Sequence, residues 1–402
     1  MDSIRAHKLR SFLTLLGVII GVASVIMVGA AIDGLGVYAQ ESTAKAFGSE
    51  SFLVAQIAAN GRLSRRELFD KLKRNKPIRN EDARYLESVN GDRILYSPYR
   101  NHNSDLRREN QICEDTSVVG VGADMAAIRD IEVADGRFFT LQEDRSRSMV
   151  AVIGPTVRDT LFPGDAPALN RIIRIEGVEF TVIGILERLG SAFGRDQDRV
   201  VYIPVSAFDR LYGPGNGFAL FGRPKPASGL DLTGALDETR AALRVHFHDR
   251  PGQPDNFDTL TPDAIRGFID QVLSMIAAVV IPVTCISLVV GGIVIMNIML
   301  VSVTERTREI GIRKAIGARH GDVMLQILIE AVTLAVVGGA MGVAAGALVT
   351  LLISRLFGLT MHIGIGYVAL AIGVSGIVGI LSGWYPASRA ARLDPVVALR
   401  AE

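Results

Sequence analysis

Four long apolar runs constrain this chain more than any other feature of its sequence. The first covers residues 12–32, and the others cover 271–303, 323–353 and 367–384. An α-helix rises about 1.5 Å per residue, so about 20 apolar residues cross the core of a bilayer. The sequence therefore predicts four transmembrane helices. A cleavable signal peptide is the alternative for the first run, but that run is longer than the usual core of ~7–15 residues.

The composition agrees with membrane helices at both ends of the chain and a water-exposed domain between them. The mean hydropathy is +0.31, with 49% hydrophobic and 21% charged residues. The chain is thus more hydrophobic than a typical soluble protein and more polar than a protein embedded in the membrane throughout. The net charge of +1 does not indicate nucleic acid as a partner. Cys113 and Cys285 fall in the aqueous domain and in a span, so neither a disulfide nor metal ligation is expected.

The basic residues predict the topology. They precede the first run, occupy the connection between the second and third, and follow the fourth, so the positive-inside rule places both termini in the cytoplasm. The predicted segments are 1–10 (cytoplasmic), 11–32 (first span), 33–270 (outside domain), 271–303 (second span with an external stalk), 304–322 (cytoplasmic helix), 323–353 (third span), 354–366 (short external loop), 367–385 (fourth span) and 386–402 (cytoplasmic tail).

The outside domain is predicted to mix helices and strands. A helix is expected over 80–89, with Asn80 as its N-cap and Gly91 beyond its end. The basic segment 58–79 favours a surface loop with one helical turn, the alternative being a contact with anionic lipid headgroups. His246 and His248 would share a strand face, where surface histidines are favoured over a metal site. The predicted strands are 51–57, 118–121, 149–153, 171–175, 180–185 and 200–203.

The charged connection reads TERTREIGIRKAIGARHGD over 304–322 and predicts an amphipathic helix of about three turns. Glu309 and Arg313 have the favourable i,i+4 spacing, and Glu305 and Arg308 are three apart. Ile312, Ala315 and Ile316 would share one face, and Gly317 would end the helix. With so little slack, a push on this helix would move both flanking spans. A simple loop that only sets topology remains the alternative.

The membrane runs contain two further candidate features. Glu330 is a carboxylate just inside the third span, where pairing with a nearby arginine is favoured over a proton relay. Glycines four residues apart predict close helix packing. These are Gly17 and Gly21 in the first span, Gly338, Gly342 and Gly346 in the third, and Gly379 and Gly383 in the fourth.

The sequence nominates no catalytic residue and no metal site. It has no G-x-x-x-x-G-K-[ST] motif, no G-x-S-x-G, no H-E-x-x-H and no C-x-x-C. We therefore expect a non-enzymatic chain without a cofactor of its own.

Several blocks resemble the MacB/FtsX family of ABC-transporter permeases. They are KLRSFLTLLGVIIGVASVIMV in the first span, VAVIGPTVRDTLFPG, IEGVEFTVIGIL and DRVVYIPVSAF in the outside domain, VTERTREIGIRKAIGARHGDVMLQILIEA around the charged connection, and WYPASRAARLDPVVALRAE at the end. The sequence departs from the family in having only ten residues before Ser11 and no fused ATPase.

The resemblance implies an inner-membrane permease with four spans that works as a dimer, with an identical or a different permease, beside membrane lipids. A separate cytoplasmic ATPase would bind ATP and Mg²⁺, and a subdomain over about 118–225 would be inserted in the outside domain. The charged connection would be the coupling helix that docks on the ATPase. Its implied contact residues are Glu305, Arg306, Arg308, Glu309, Arg313, Lys314 and Gly317.

Three functions follow as hypotheses. The first is mechanotransmission, in which ATP hydrolysis inside changes the outside domain to extrude drugs, peptides or lipidated molecules, with a periplasmic adaptor and an outer-membrane channel as further partners. The second is an FtsX-like regulator of a periplasmic enzyme such as a cell-wall hydrolase. The third is a membrane-anchored sensor with no ATPase.

Overall fold

The computed structural model describes residues 8–48, 50–59, 61, 63–164, 166–192, 195–215, 217–357, 363–395 and 398. The chain divides into two compact units. We call them the membrane unit, Met1–Tyr38 with Asp270–Glu402, and the core unit, Ala39–Ile269.

The described residues form twelve α-helices and a short 3₁₀ helix at Pro226–Ser228. In chain order the α-helices are α1 (Lys8–Phe47), α2 (Arg65–Arg74), α3 (Asn80–Asn90), α4 (Met125–Ile128), α5 (Leu141–Arg145), α6 (Pro155–Leu161), α7 (Val205–Tyr212), α8 (Leu232–His246), α9 (Pro262–Glu305), α10 (Thr307–Ala315), α11 (His320–Phe357) and α12 (Ile365–Ala391).

Four of these helices, α1, α9, α11 and α12, are long and apolar enough to cross a membrane. With a large mixed domain between the first and second of them, the predicted fold class is confirmed. Helix α9 has 44 residues, or about 66 Å at 1.5 Å per residue, against a bilayer core of about 30 Å. It is longer than the predicted span because the chain is already helical from Pro262, before the apolar run begins. Pro282 lies inside it.

The core unit is built on one large sheet. Its strands are β1 (Phe52–Ala55), β2 (Ile94–Arg108), β3 (Gln111–Val121), β4 (Val133–Gly136), β5 (Val150–Ile153), β6 (Ile172–Ile175), β7 (Val178–Leu186), β10 (Val200–Pro204), β11 (Ala219–Pro224) and β12 (Asp258–Leu260). The order is β12-β1-β11-β2-β3-β10-β5-β7-β4, with β6 beside β2 and β7. A separate small hairpin joins β8 (Ser191–Ala192) to β9 (Arg195–Asp196).

Burial along the strands explains their sequences. All five residues of β10 are buried because β3 and β5 flank it and both faces are covered, so it reads as a continuous apolar run. In β7 buried and half-buried residues alternate from Phe180 to Leu186, as expected for unequally covered faces. All six strands predicted from the sequence are present at their positions.

Two hydrophobic clusters cover the same face of the sheet. One runs from Leu106 to Phe208 and contains residues of α6 and α7, whereas the other comes from Phe52–Tyr96 and Leu220–Phe257 and contains residues of α3 and α8. Strand β2 contributes residues to both clusters, and β3 contributes residues to the first.

Three local predictions need correction. The predicted helix forms, but its N-cap is Arg79, whose backbone N–H donates to the Asp82 carboxylate at 2.7 Å. Where one turn was expected in segment 58–79, α2 has ten residues, begun by a capping box at Ser64. His246 ends helix α8 and binds Asp82 at 2.9 Å, so it shares no strand face with His248. Within the described ranges, no group of three metal-ligating side chains occurs.

Candidate coupling site between the second and third spans

The connection between the second and third spans is a short helix with almost no slack on either side. Helix α9 ends at Glu305, and Arg306 alone separates it from α10. Only residues 316–319 connect α10 to α11. The structure thus contains one helix of nine residues where the sequence predicted a longer one, because Glu305 belongs to the preceding span and His320 to the next.

The end of α10 is set by Gly317, as the sequence predicted. This glycine has φ +108°, in the left-handed region where residues with a side chain are strained. Its N–H donates to the carbonyl of Lys314, and the N–H of Ala318 donates to that of Arg313, both at 3.1 Å. The two bonds form a Schellman motif, which satisfies carbonyls at the helix end and turns the chain toward α11.

Lys314 faces the chain's own fourth span. Its ammonium donates to the carbonyls of Ala391 and Leu393 at 2.6 and 2.7 Å, and the imidazole of His320 contacts the same Ala391 carbonyl. These carbonyls lie at the C-terminal end of α12, where the helix dipole favours a positive charge. Lys314 therefore ties α10 to α12.

Arg306 and Glu330 form a second tie. The arginine Nη1 lies 3.5 Å from the carboxylate Oε2, and both side chains are about one-third exposed. This is the pairing that the sequence left as one of two alternatives for Glu330. It joins the hinge residue before α10 to helix α11.

The remaining charged side chains of the site are on its surface. Arg313 Nη2 donates to Glu309 at 2.6 Å, the predicted i,i+4 pair, and its Nη1 donates to Gln326 of α11 at 3.0 Å. Glu305 and Arg308 are also exposed. Of the charged residues predicted as contacts, these four present their side chains to the outside of the unit.

The apolar face of α10 differs from the predicted one. Ile310 is buried, and next to it a Cβ on Gly311 would lie 2.6 Å from the Cβ of Ala398. Ile312 is 43% exposed and Ile316 81% exposed. Spacing alone identified the isoleucines but not which of them faces inward, because that depends on the chain beyond α12. An apolar centre among surface charges is common in protein interfaces.

The first span packs against the second through glycines. A Cβ on Gly17 would lie 3.2 Å from the Cα of Gly291, and one on Gly21 would lie 3.1 Å from the Leu288 side chain. Such separations allow two helix backbones to approach closely.

Other glycines of the predicted motifs lie in the third and fourth spans and contact neighbouring helices. A Cβ on Gly342 would lie 2.7 Å from Val22 of α1, and one on Gly346 would lie 3.0 Å from an α1 carbonyl oxygen. Gly379 and Gly383 lie in the same way against alanines of α11, and Gly338 is buried. The contacts described here join helices of one chain.

The arrangement can now be compared with known proteins. A family model described as "MacB-like periplasmic core domain" matches residues 11–242, more than half of the chain. A second, described as "FtsX-like permease C-terminal", matches residues 272–395. The chain belongs to the MacB/FtsX permease family. Helix α10 lies inside the FtsX-like match.

Curated relatives cover the whole chain. The "Macrolide export ATP-binding/permease protein MacB" of Bdellovibrio bacteriovorus is 36% identical over all of this chain and 61% of its own length. The protein of the same name in Chlorobaculum tepidum is 37% identical over all of this chain and 60% of its own length. The chain thus spans about three-fifths of the length of these relatives.

A solved structure, the periplasmic region of MacB from Actinobacillus actinomycetemcomitans, aligns with a TM-score of 0.45 at 16% identity, covering 56% of this chain and 95% of that one. The family assignment made from the sequence blocks is confirmed by the family models and the relatives.

Proposed function

We propose that this chain is the permease subunit of an ABC transporter whose ATPase is a separate cytoplasmic subunit that binds ATP and Mg²⁺. The observation that carries the proposal is α10, a short exposed helix held between two spans by connections of one and four residues. The "ATP-binding/permease" names of the relatives support an ATPase as its partner.

Helix α10 would act as the coupling helix. Its exposed side chains, with Ile316 among the charges, offer a contact surface for the ATPase. A displacement of α10 would pass to α9 through the single residue Arg306, and to α11 and α12 through Glu330 and the Lys314 contacts. Helix α9 continues to Pro262, far beyond the length of one span, which supports mechanical transmission toward the outside domain.

The wider assembly is part of the same proposal. The chain would lie in the inner membrane with both termini in the cytoplasm, pair with a second permease copy, and drive extrusion of drugs, peptides or lipidated molecules. The macrolide-export names of its relatives support efflux. A periplasmic adaptor with an outer-membrane channel would be recruited for export, whereas a periplasmic hydrolase as the bound partner would indicate the regulator function instead.

The test uses the surface ion pair of α10. The variant E309R/R313E exchanges two charges and keeps an opposite-charge i,i+4 pair, so it inverts the pattern offered to a partner at little cost to the helix. The control R174E/E179R exchanges an exposed ion pair on strands β6 and β7 of the core unit. The ATPase is identified by mass spectrometry of proteins that co-purify with the wild-type chain.

We expect co-purification of the ATPase to fall at least about tenfold for the α10 exchange and to be unchanged for the control, because like charges opposed across an interface are repulsive. Both variants should keep the wild-type unfolding temperature. Full recovery of the ATPase with the exchanged α10 pair would refute the coupling role.

A further inference from the structure

Helix α2 of the core unit has an apolar face that no described part of the chain covers. None of its ten residues is buried, and all are exposed except Lys71, which is half-buried. Its apolar side chains are Leu68, Phe69 and Leu72, which are 39%, 55% and 48% exposed. We call these three the apolar face of α2. An isolated helix shorter than about 12–15 residues is marginal in water, so a helix of this length depends on a surface that packs against its apolar face.

The charges of α2 are arranged around this apolar face. With 3.6 residues per turn, the face occupies an arc of about 100°, bordered on both sides by basic residues, and the carboxylates lie on the opposite side. Arg65 lies within the arc, the bordering residues are Arg66, Lys71 and Lys73, and the carboxylates are Glu67 and Asp70. The Nζ of Lys73 lies 4.3 Å from the centre of the Phe69 ring. Basic side chains in this position lay their stems on apolar surface and keep the charge beside it.

Three of these cations have no acidic partner within the core unit. Among the residues that the structure describes, no ion pair includes Arg65, Arg66 or Lys73. The apolar face is therefore surrounded by positive charge that the protein does not neutralise, and the complementary surface is both apolar and negatively charged.

The fourth cation helps to fix α2 to the segment that leads into helix α9. The Nζ of Lys71 lies 2.5 Å from the Asp258 carboxylate of β12, and Asn75, directly after α2, donates to the same carboxylate at 3.1 Å. Before α2, a Cβ on Gly61 would lie 2.8 Å from the ring of Phe268 in α9. Phe268 is three residues before the apolar run that begins at 271. The core unit thus holds the Lys71 side of α2 and the chain at both of its ends, and leaves the apolar face uncovered.

We propose that α2 is a membrane-surface anchor of the core unit: its apolar face enters the headgroup region of the bilayer, and Arg65, Arg66 and Lys73 bind the phosphates of anionic lipids. An apolar stripe bordered by basic residues, with acidic residues on the far side, is typical of helices that lie in a membrane interface. A bilayer with anionic lipids combines a negative surface with an apolar interior, and it lies beside every copy of a chain with four spanning helices. The contact requires neither ATP nor an ATPase, so it goes beyond the coupling role proposed above.

The test measures contact of α2 with lipid by tryptophan fluorescence of the full chain in nanodiscs without nucleotide. Trp384 is the only tryptophan of the sequence, so Trp384→Phe gives a background without emission from tryptophan. In that background, L72W places a probe on the apolar face, and the control D70W places one on the opposite side of the same helix; both positions are exposed. The nanodiscs contain phosphatidylcholine alone or in an equal mixture with phosphatidylglycerol. Part of the lipid carries bromine near the headgroup, which quenches a tryptophan in contact with it.

The charge dependence is measured with the L72W probe. The variant R66Q/K73Q removes two of the bordering charges and introduces glutamine, a good helix former. The control R107Q/R171Q removes two exposed arginines of the core unit that lie outside α2.

We expect brominated lipid to quench the L72W probe strongly in the anionic mixture and weakly in phosphatidylcholine alone. The D70W probe should be quenched little in both, because the opposite sides of a helix are about 10 Å apart. R66Q/K73Q should lower the equilibrium constant for α2 on the anionic surface about 30-fold, the effect of removing two basic residues there. The control R107Q/R171Q should leave this constant unchanged.

Three results would overturn the proposal. An L72W probe that is not quenched in the anionic mixture would show that α2 does not touch lipid, and a blue-shifted emission in that case would identify a protein surface, such as a second copy, as its cover. Equal quenching of the L72W and D70W probes would indicate nearness to the bilayer without insertion of the apolar face. Equal quenching of the L72W probe with and without phosphatidylglycerol would exclude the anionic headgroup as the partner.

Discussion

Gly342 is the position at which one added carbon should disturb the membrane unit most directly. An ideal Cβ there would lie 2.7 Å from the Cβ of Val22 and 2.9 Å from the carbonyl oxygen of Ile19, both on α1. Real Cβ atoms essentially never approach other atoms within 3.0 Å. Since one of the two contacts is a backbone atom, no rotamer change relieves it, and Gly342→Ala must push α11 away from α1.

Two effects of opposite sign determine how much Gly342→Ala changes the free energy of unfolding. Overpacking of a tight site typically costs about 1–3 kcal/mol. Alanine in place of glycine inside a helix returns about 1 kcal/mol through helix propensity. Gly373, on the exposed face of α12, has no atom within 4 Å of its ideal Cβ, so Gly373→Ala carries the second effect alone. The difference between the two variants should therefore be about 1–3 kcal/mol.

The assay is equilibrium unfolding of the two variants and the wild type in mixed detergent micelles, followed by far-ultraviolet circular dichroism. We expect Gly373→Ala to be as stable as the wild type or more so, and Gly342→Ala to have the lowest free energy of unfolding. Equal free energies for the two alanine variants would refute the close α1–α11 contact.

Two further predictions concern charges. Arg137 and the capping bonds at Thr140 hold the pKa of Glu143 at about 2, below the ordinary 4.5. The stabilisation by the Glu143 carboxylate is present above pH 4.5 and is lost as the pH falls toward 2. E143Q should therefore make the free energy of unfolding less dependent on pH over that window. An unchanged pH profile would contradict this. Lys314→Met removes the ammonium that donates to the carbonyls of Ala391 and Leu393 and should lower the free energy of unfolding by about 1–3 kcal/mol. The exposed control Arg308→Met should change stability little; equal effects would refute the Lys314 tie.

Much of the fold is readable from local sequence. The four spans follow from run length alone, because each spanning helix must satisfy its own backbone hydrogen bonds inside lipid. The strands of the core unit follow from short apolar segments between turn signals, and helix α3 from its acidic first turn and Gly91. Gly317 was readable as a helix end because few other residues tolerate its conformation.

The orientation of α10 was not readable in the same way. Spacing placed Ile312 and Ile316 on one face, but both are exposed, and Ile310 is the buried residue instead. The resemblance gave Lys314 as an implied contact with the ATPase, and no local pattern showed that its ammonium binds the carbonyls of Ala391 and Leu393. Local patterns define the faces of a helix, whereas only its neighbours decide which face is covered.

What the sequence by itself determined is therefore the number of spans, the mixed class of the outside domain, the family and the position of the short connecting helix. Each of these depends on contiguous residues, through apolar length, alternation or turn chemistry. The tertiary structure alone decided which charges of that helix remain outside and which strands pair in the sheet. The sheet brings Leu53, Tyr99, Val119, Tyr202 and Phe221 onto one face, because strand pairing joins segments far apart in the chain.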